Sequence, residues 1–263
     1  MSSLVVKLGG HALDALDARS PALVDLAEDI GQLRARGTNV VVVHGGGPQI
    51  ATLLTSVGLE SSFHEGLRIT DRATMRYTAM ALAEVNLLIV AALNQAGLVS
   101  VGLSGGDAAM VQATALGEPW GRAGGLPKVR DDVVLTLWKA GLTPVVSPVA
   151  IDEFGDLLNC NADTVAGAIA AALGAEVLVL LSDIDQLRTQ PDDPSTALAH
   201  VTASEVDAML ASKSARDGMR PKVTAALDAL GAGATCVLLA NGTRRHALRD
   251  ALARHIPTTE VVR

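Results

Sequence analysis

Four consecutive valines, Val40 to Val43, run straight into His44-Gly45-Gly46-Gly47-Pro48. A β-branched stretch this short favours a strand, and its apolarity at every position calls for a strand covered on both faces. A helix pattern follows the glycines. Three glycines in a row are hard to justify by packing, because each adds conformational freedom to the unfolded chain. They suit a backbone-lined anion pocket, although a structural turn is the alternative. The spacing matches neither the Walker pattern nor the dinucleotide fingerprint, which disfavours those nucleotide folds.

Comparable runs recur at Leu4 to Leu8, Val99 to Leu103, Pro144 to Pro148, Val177 to Leu181 and Thr235 to Ala240. Helical patterns separate them: Pro21 to Arg36, Gln49 to Val57, Asp71 to Gln95, Val129 to Ala140, Thr164 to Leu173, Ser204 to Leu210 and Met219 to Ala232. This alternation predicts an α/β fold with a mostly parallel central sheet covered by helices. Gly117 to Lys128 and Arg188 to Ser195 lack periodicity and read as surface loops or hairpins. A second alternating set begins near Ala175, which fits two lobes with a cleft between them.

With 263 residues, 49% of them hydrophobic, the chain is long enough to bury a substantial core, and disorder is excluded. No window approaches 18 uninterrupted apolar residues and the start lacks a signal-peptide pattern, so the expectation is a cytoplasmic protein with no membrane partner. Cys160 and Cys236 lack metal-binding spacing and read as reduced core residues. The net charge of −7 disfavours nucleic acid and favours a small-molecule ligand.

Several polar residues stand where such a fold binds ligands. Lys7, in Lys7-Leu8-Gly9-Gly10, ends a buried strand, although a strand-end lysine is often merely solvated. Asn159-Cys160-Asn161-Ala162-Asp163 sits at a helix entrance, where Asp163 is either functional or only the cap. Asp217-Gly218-Met219-Arg220-Pro221-Lys222 opens another helix, an unusual start for its cationic side chains. Arg68 has the planar fork that grips a carboxylate, with a surface arginine as the default alternative. Ser182-Asp183 follows a strand and is either a nucleotide contact or an ordinary turn.

Jointly these segments, together with Gly66-Leu67-Arg68-Ile69-Thr70-Asp71 and Gly102-Leu103-Ser104-Gly105-Gly106-Asp107, resemble the amino acid kinase family. Within it they are most similar to the branch that phosphorylates N-acetyl-L-glutamate in arginine biosynthesis. The resemblance implies an open three-layer αβα sandwich of two lobes. Residues 1–176 would bind the acyl amino acid and mediate dimerisation, and residues 177–263 would bind ATP.

It further implies that Lys7 and Lys222 stabilise the transferring phosphoryl group while Asp163 orients them. Gly10, Gly45 and Gly46 would supply backbone donors to the phosphoryl oxygens. Gly45, Gly46, Arg68, Asn159 and Asn161 would contact the acyl amino acid. Asp183, Ile184, Leu187, Arg188, Ala215, Arg216, Gly218 and Met219 would contact the nucleotide. MgATP is the implied co-substrate, its metal held by the phosphates rather than by protein ligands. The first strand starts at once, without the amino-terminal helix of the family's hexameric members, so a homodimer is expected.

Two other readings compete. One is a kinase for glutamate or aminoadipate attached to an acidic carrier protein, which would need a basic docking surface. The other is a noncatalytic metabolite sensor of the same fold. Attack of one anion on another needs alignment and charge neutralisation more than a base, and two lysines with glycine amides supply that.

Overall fold

The computed structural model describes residues 2–9, 17–190, 193–211, 220–231 and 234–263. Its main sheet contains β1 (Ser3–Leu8), β2 (Asn39–His44), β3 (Ser100–Ser104), β4 (Thr143–Ser147), β5 (Val177–Ser182), β6 (His200–Thr202), β7 (Cys236–Asn241) and β8 (Thr258–Val262). Their spatial order is β6-β8-β7-β5-β1-β2-β4-β3. The strands from β7 to β3 run parallel, while β8 lies antiparallel to β7 and β6 follows the direction of β8. The mostly parallel sheet is as expected. β6 and β8 were not, because their threonines, histidine and glutamate break the aliphatic pattern that marks the central strands.

The helices are α1 (Pro21–Ala35), α2 (Gly47–Ser56), α3 (Arg72–Gln95), α4 (Asp132–Lys139), α5 (Ala162–Leu173), α6 (Ala203–Ala211), α7 (Arg220–Gly231) and α8 (Ala247–Leu252). They cover both faces of the sheet and complete the sandwich. Along β1, Leu4, Val6 and Leu8 join a core with residues of α1, α3 and α8. Val5 points the other way, into a core built with α4, α5 and α7. Side chains alternate along a strand, so Lys7 shares the α5 side with Val5. This parity decides where the lysine can act.

A second, six-stranded sheet is made of strands of two to four residues. Ala115–Gly117 and Gly121–Gly124 form a hairpin that overlaps the start of the Gly117 to Lys128 segment, one of the two readings given for it. Leu187–Arg188 pairs with Ala197–Leu198 around the other such segment. Helix α3 is long and apolar enough by length and composition to cross a membrane. In the fold, Val85, Ile89 and Leu93 pack into the core, while its outer side leaves Met80 and Leu87 exposed.

The short helix α8 is docked by two buried carboxylates of α1. Asp25 accepts hydrogen bonds from the Arg245 guanidinium and from the His246 N–H at 3.3 Å. Asp29 accepts from the Arg249 N–H at 3.1 Å and from His246 Nδ1 at 2.8 Å. Carboxylates beside the first turn satisfy amides that the helix itself leaves unpaired. The Arg245 hydrogen bond holds the Asp25 carboxyl below its ordinary range.

On the opposite face α5 crosses α7 at very short range. A Cβ added to Gly167 would meet the Ala225 carbonyl oxygen at 2.9 Å. Asp163 lies four residues before Gly167, and Lys222 lies three before Ala225, so the close crossing brings these two side chains together one turn away. Gly167→Val should therefore force the helices apart and destabilise the fold by about 1–3 kcal/mol. Urea unfolding followed by circular dichroism would read this as a lower midpoint with an unchanged slope.

Candidate active site

The carboxyl ends of β1 and β2 and the amino ends of α2 and α5 converge on a cavity of about 260 Å³. Lys7 reaches it as the penultimate residue of β1. Its Nζ lies 2.7 Å from Asp163 Oδ1, and both side chains are almost fully buried. Lys222, in the first turn of α7, brings its Nζ to 3.9 Å from Asp163 Oδ2. Two cations distant in sequence thus meet on one carboxylate. Burial alone would raise the Asp163 pKa, but Lys7 and then Lys222 outweigh it and hold the carboxyl below its ordinary range.

Asp163 is free for this task because the α5 cap lies elsewhere. Asn161 Oδ1 accepts from the Asp163 N–H at 2.8 Å and the Thr164 N–H at 3.2 Å. The cap reading of Asp163 therefore fails. The Asn161 oxygen, expected to touch substrate, is committed to the helix although the residue does line the cavity.

The glycine corner also differs from expectation at one residue. The Gly45 N–H donates to the Leu8 carbonyl at 3.0 Å, and the Gly9 N–H donates to Leu181 at 2.7 Å. Both amides extend the parallel ladder beyond the strand ends, so Gly45 has no N–H to offer a phosphoryl oxygen. Gly46 caps α2 and Gly47 is its first residue, and both line the cavity. Among the described residues neither of their N–H groups has a protein acceptor. The amides left open to the cavity are thus those of Gly46 and Gly47, one step beyond the predicted pair. The signal was Pro48, whose fixed φ suits the first turn of a helix and so places the free amides just before it. Gly10 lies outside the described residues.

Arg68 enters the far end of the cavity from the short strand Leu67–Arg68, which pairs with Phe63–His64. Its guanidinium donates to Ser61 Oγ and, at 3.1 Å, to the Gly47 carbonyl, and it lies 4.7 Å from the Phe63 ring centroid. It is 7% exposed, and no carboxylate pairs with it among the described residues. Burial lowers its pKa from the ordinary value, because the charged guanidinium is taken out of water. Asn159 Nδ2 donates to Thr70 Oγ1 at 3.1 Å, and Thr70 Oγ1 donates to the Arg68 carbonyl at 2.8 Å, so the two expected carboxylate ligands share one scaffold.

The hairpin built on Ala115–Gly117 and Gly121–Gly124 secures this scaffold. Trp120 Nε1 donates to the His64 carbonyl at 3.1 Å, the Thr70 N–H donates to the Trp120 carbonyl at 3.1 Å, and the Arg122 N–H donates to the Thr70 carbonyl at 2.7 Å. Gly121 has a φ of +62°, and a Cβ there would meet the Thr70 oxygen at 2.6 Å. Only glycine fits that approach.

The nucleotide-side residues are less uniform. Asp183 is exposed just beyond β5, and Ile184 donates its N–H to Ser182 Oγ at 3.3 Å. Arg188 is half-buried in the strand that follows. Leu187, expected to touch nucleotide, instead buries its side chain in the α5-side core and gives its N–H to Thr259 Oγ1 at 2.8 Å. Ala215, Arg216, Gly218 and Met219 lie outside the described residues. Cys160 and Cys236 are unpaired and buried as expected, and burial pushes the Cys160 thiol up to about 12.

Comparison with known proteins agrees with this geometry. The family model described as the amino acid kinase family matches residues 2–241. An acetylglutamate kinase from Deinococcus radiodurans is 42% identical over 259 residues, covering 98% of this chain and 100% of that protein. One from Symbiobacterium thermophilum is 40% identical over 256 residues, covering 94% and 86% respectively. The solved structure of Giardia carbamate kinase superposes with a TM-score of 0.72 at 17% identity, covering 99% of this chain and 98% of the other, and so shares the fold. The buried Lys-Asp-Lys cluster, the glycine corner and these similarities lead to one conclusion: the chain belongs to the amino acid kinase family.

Proposed function

We propose that this protein is an acetylglutamate kinase, which transfers the γ-phosphoryl group of ATP to the side-chain carboxylate of N-acetyl-L-glutamate. The observation that carries the reading is the buried, carboxylate-free Arg68 at one end of a cavity whose other end holds Lys7, Asp163 and the Gly46 and Gly47 amides. A dicarboxylic acyl amino acid satisfies both ends. Its α-carboxylate meets Arg68 and Asn159, its acyl group lies against Ile50, Leu82 and Ala123, and its second carboxylate faces the lysines. The names of the Deinococcus radiodurans and Symbiobacterium thermophilum relatives, both acetylglutamate kinases, support the same substrate.

The reaction follows from charge. The side-chain carboxylate is ionised at neutral pH, so one of its oxygens attacks the γ-phosphorus directly while the bond to the β-phosphate oxygen breaks and ADP leaves. Lys7 and Lys222 flank the migrating group, the glycine amides receive its oxygens, and Asp163 keeps both ammonium groups from relaxing away. MgATP is the co-substrate, with its metal on the phosphates. Residues 1–176 form the acyl amino acid lobe and residues 177–263 the nucleotide lobe, where Asp183, Ile184 and Arg188 line the approach. The exposed apolar side of α3, with Met80 and Leu87, supports a homodimer, and the reduced thiols fit a cytoplasmic setting.

Attachment of the substrate to an acidic carrier protein has weaker support. Of the basic residues in the Gly117 to Lys128 segment, Arg122 is paired with Asp156 at 3.0 Å. The intact Lys-Asp-Lys cluster likewise argues for catalysis over sensing. The deciding experiment is ADP release with N-acetylglutamate, free glutamate, N-acetylaminoadipate and carrier-linked glutamate. N-acetylglutamate should be the preferred acceptor, and phosphorylation of the carrier-linked form alone would replace the reading.

Lys7→Ala and Lys222→Ala should each lower kcat by more than about tenfold through lost charge stabilisation. Near-normal turnover in both would remove their roles. A pH series tests Asp163. Its folded pKa is depressed, so its stabilisation is present above the ordinary value of 3.8 and is lost as pH falls towards the folded value. The stability gap between wild type and Asp163→Asn should hold steady from neutral pH down to the carboxylate range and shrink below it. Denaturant titrations at each pH would measure this gap.

A further inference from the structure

His44 ends β2 with its ring fully buried beside the glycine corner. Its Nδ1 lies 2.9 Å from the Gly45 carbonyl oxygen. A carbonyl only accepts, so Nδ1 carries the ring proton and donates it. Nε2 is then an acceptor, and Asn86 Nδ2 donates to it at 3.1 Å. The same amide nitrogen donates to the Val145 carbonyl at 3.0 Å, which fixes the orientation of the Asn86 side chain. Burial pushes the imidazole down to about 4, so the ring stays neutral near neutral pH.

Peptide geometry carries this arrangement into the cavity. In a trans peptide the C=O and the following N–H point in opposite directions. With the Gly45 carbonyl turned to the His44 ring, the Gly46 N–H faces away from it, on the cavity wall shared with Lys7 and Asp163. The segment packs closely on α3, where a Cβ on Gly46 would meet Leu82 at 2.9 Å. Gly102 on β3 completes the chain of contacts: a side chain there would overlap the Asn86 amide oxygen.

We propose that His44 and Asn86 are positioning residues that aim the Gly46 N–H at the phosphoryl group in transfer, and that Gly102 is glycine in order to seat the Asn86 amide. The proposal rests on the phosphotransfer reading above and extends it to residues that never touch substrate. If the His44 hydrogen bond is lost, the Gly45–Gly46 peptide is free to rotate. A flipped peptide would present a carbonyl oxygen, rather than an N–H, to an anion whose charge grows during the reaction.

Two measurements test it. The first compares His44→Asn, whose amide nitrogen stands close to the position of Nδ1, with His44→Gln, which places it nearer Nε2, and with His44→Phe, which keeps the volume and removes the donor. His44→Asn should retain most of the wild-type kcat. His44→Gln and His44→Phe should lose at least about tenfold in kcat, as expected for a misaimed anion-hole donor. KM for the acyl amino acid should change far less than kcat, since Arg68 keeps Ser61 and Asn159 keeps Thr70. Gly102→Ala should reproduce the kcat loss without altering the histidine. The second measurement is ¹⁵N NMR of the histidine rings, which should report the Nδ1–H tautomer for His44 in the wild type and its loss in Asn86→Leu.

A folded His44→Phe with normal kcat, or an Nε2–H tautomer in the wild type, would overturn the proposal. A wild type inactive on every acyl amino acid would instead overturn the proposed function, and the tautomer measurement would still decide the arrangement around His44.

Discussion

One buried carboxylate organises this molecule. Asp163 draws Lys7 from the first strand and Lys222 from a helix more than two hundred residues later, and holds both at the mouth of α5. Two ammonium groups so close would repel each other, and each loses hydration on burial, so neither position is stable without the anion between them. The rest of the architecture serves this encounter. β1 is flanked by β5 and β2, its alternation turns Lys7 towards α5, and the helix crossing at Gly167 brings Lys222 near. Asn161 relieves Asp163 of capping the helix.

The site is divided electrostatically. At one end, the lysines already have a partner and retain excess positive charge for a phosphoryl group. At the other, Arg68 is buried with only neutral partners among the described residues. On the proposed function, a ligand with two carboxylates would be read twice, once for orientation and once for reaction. Because Arg68 also donates to the Gly47 carbonyl, the two ends are mechanically joined through the glycine corner.

Much of this was legible in the sequence, for identifiable reasons. The six parallel strands of the main sheet announce themselves as aliphatic runs, since strands covered on both faces admit little else. Lys7, Asp163 and Lys222 were each ambiguous alone, as a strand-end lysine, a possible helix cap and a cationic helix start, and only the family resemblance joined them. What was not legible depends on tertiary context. β6 and β8 look polar because they lie at one end of the sheet, and the second sheet is made of strands too short to show a period. Choosing Asn161 over Asp163 as cap requires helix geometry, as does finding that the Gly45 amide is consumed by the ladder. Leu187 follows a turn that looks ligand-facing, yet its side chain belongs to the core. No local pattern links Asn86 to His44, which lie 42 residues apart.

The docking of α8 against α1 has a mechanical consequence. Prying these elements apart would strip hydrogen bonds from the first turn of α8 and leave Asp25 and Asp29 bare in an apolar setting, a severe penalty for a small displacement. On the other side of the sheet, α5 and α7 meet through small residues and a salt-bridged mouth that opens onto solvent. The sheet is therefore pinned from both faces, by the α1 carboxylates on one and by the Lys222–Asp163 ion pair at the close α5–α7 crossing on the other.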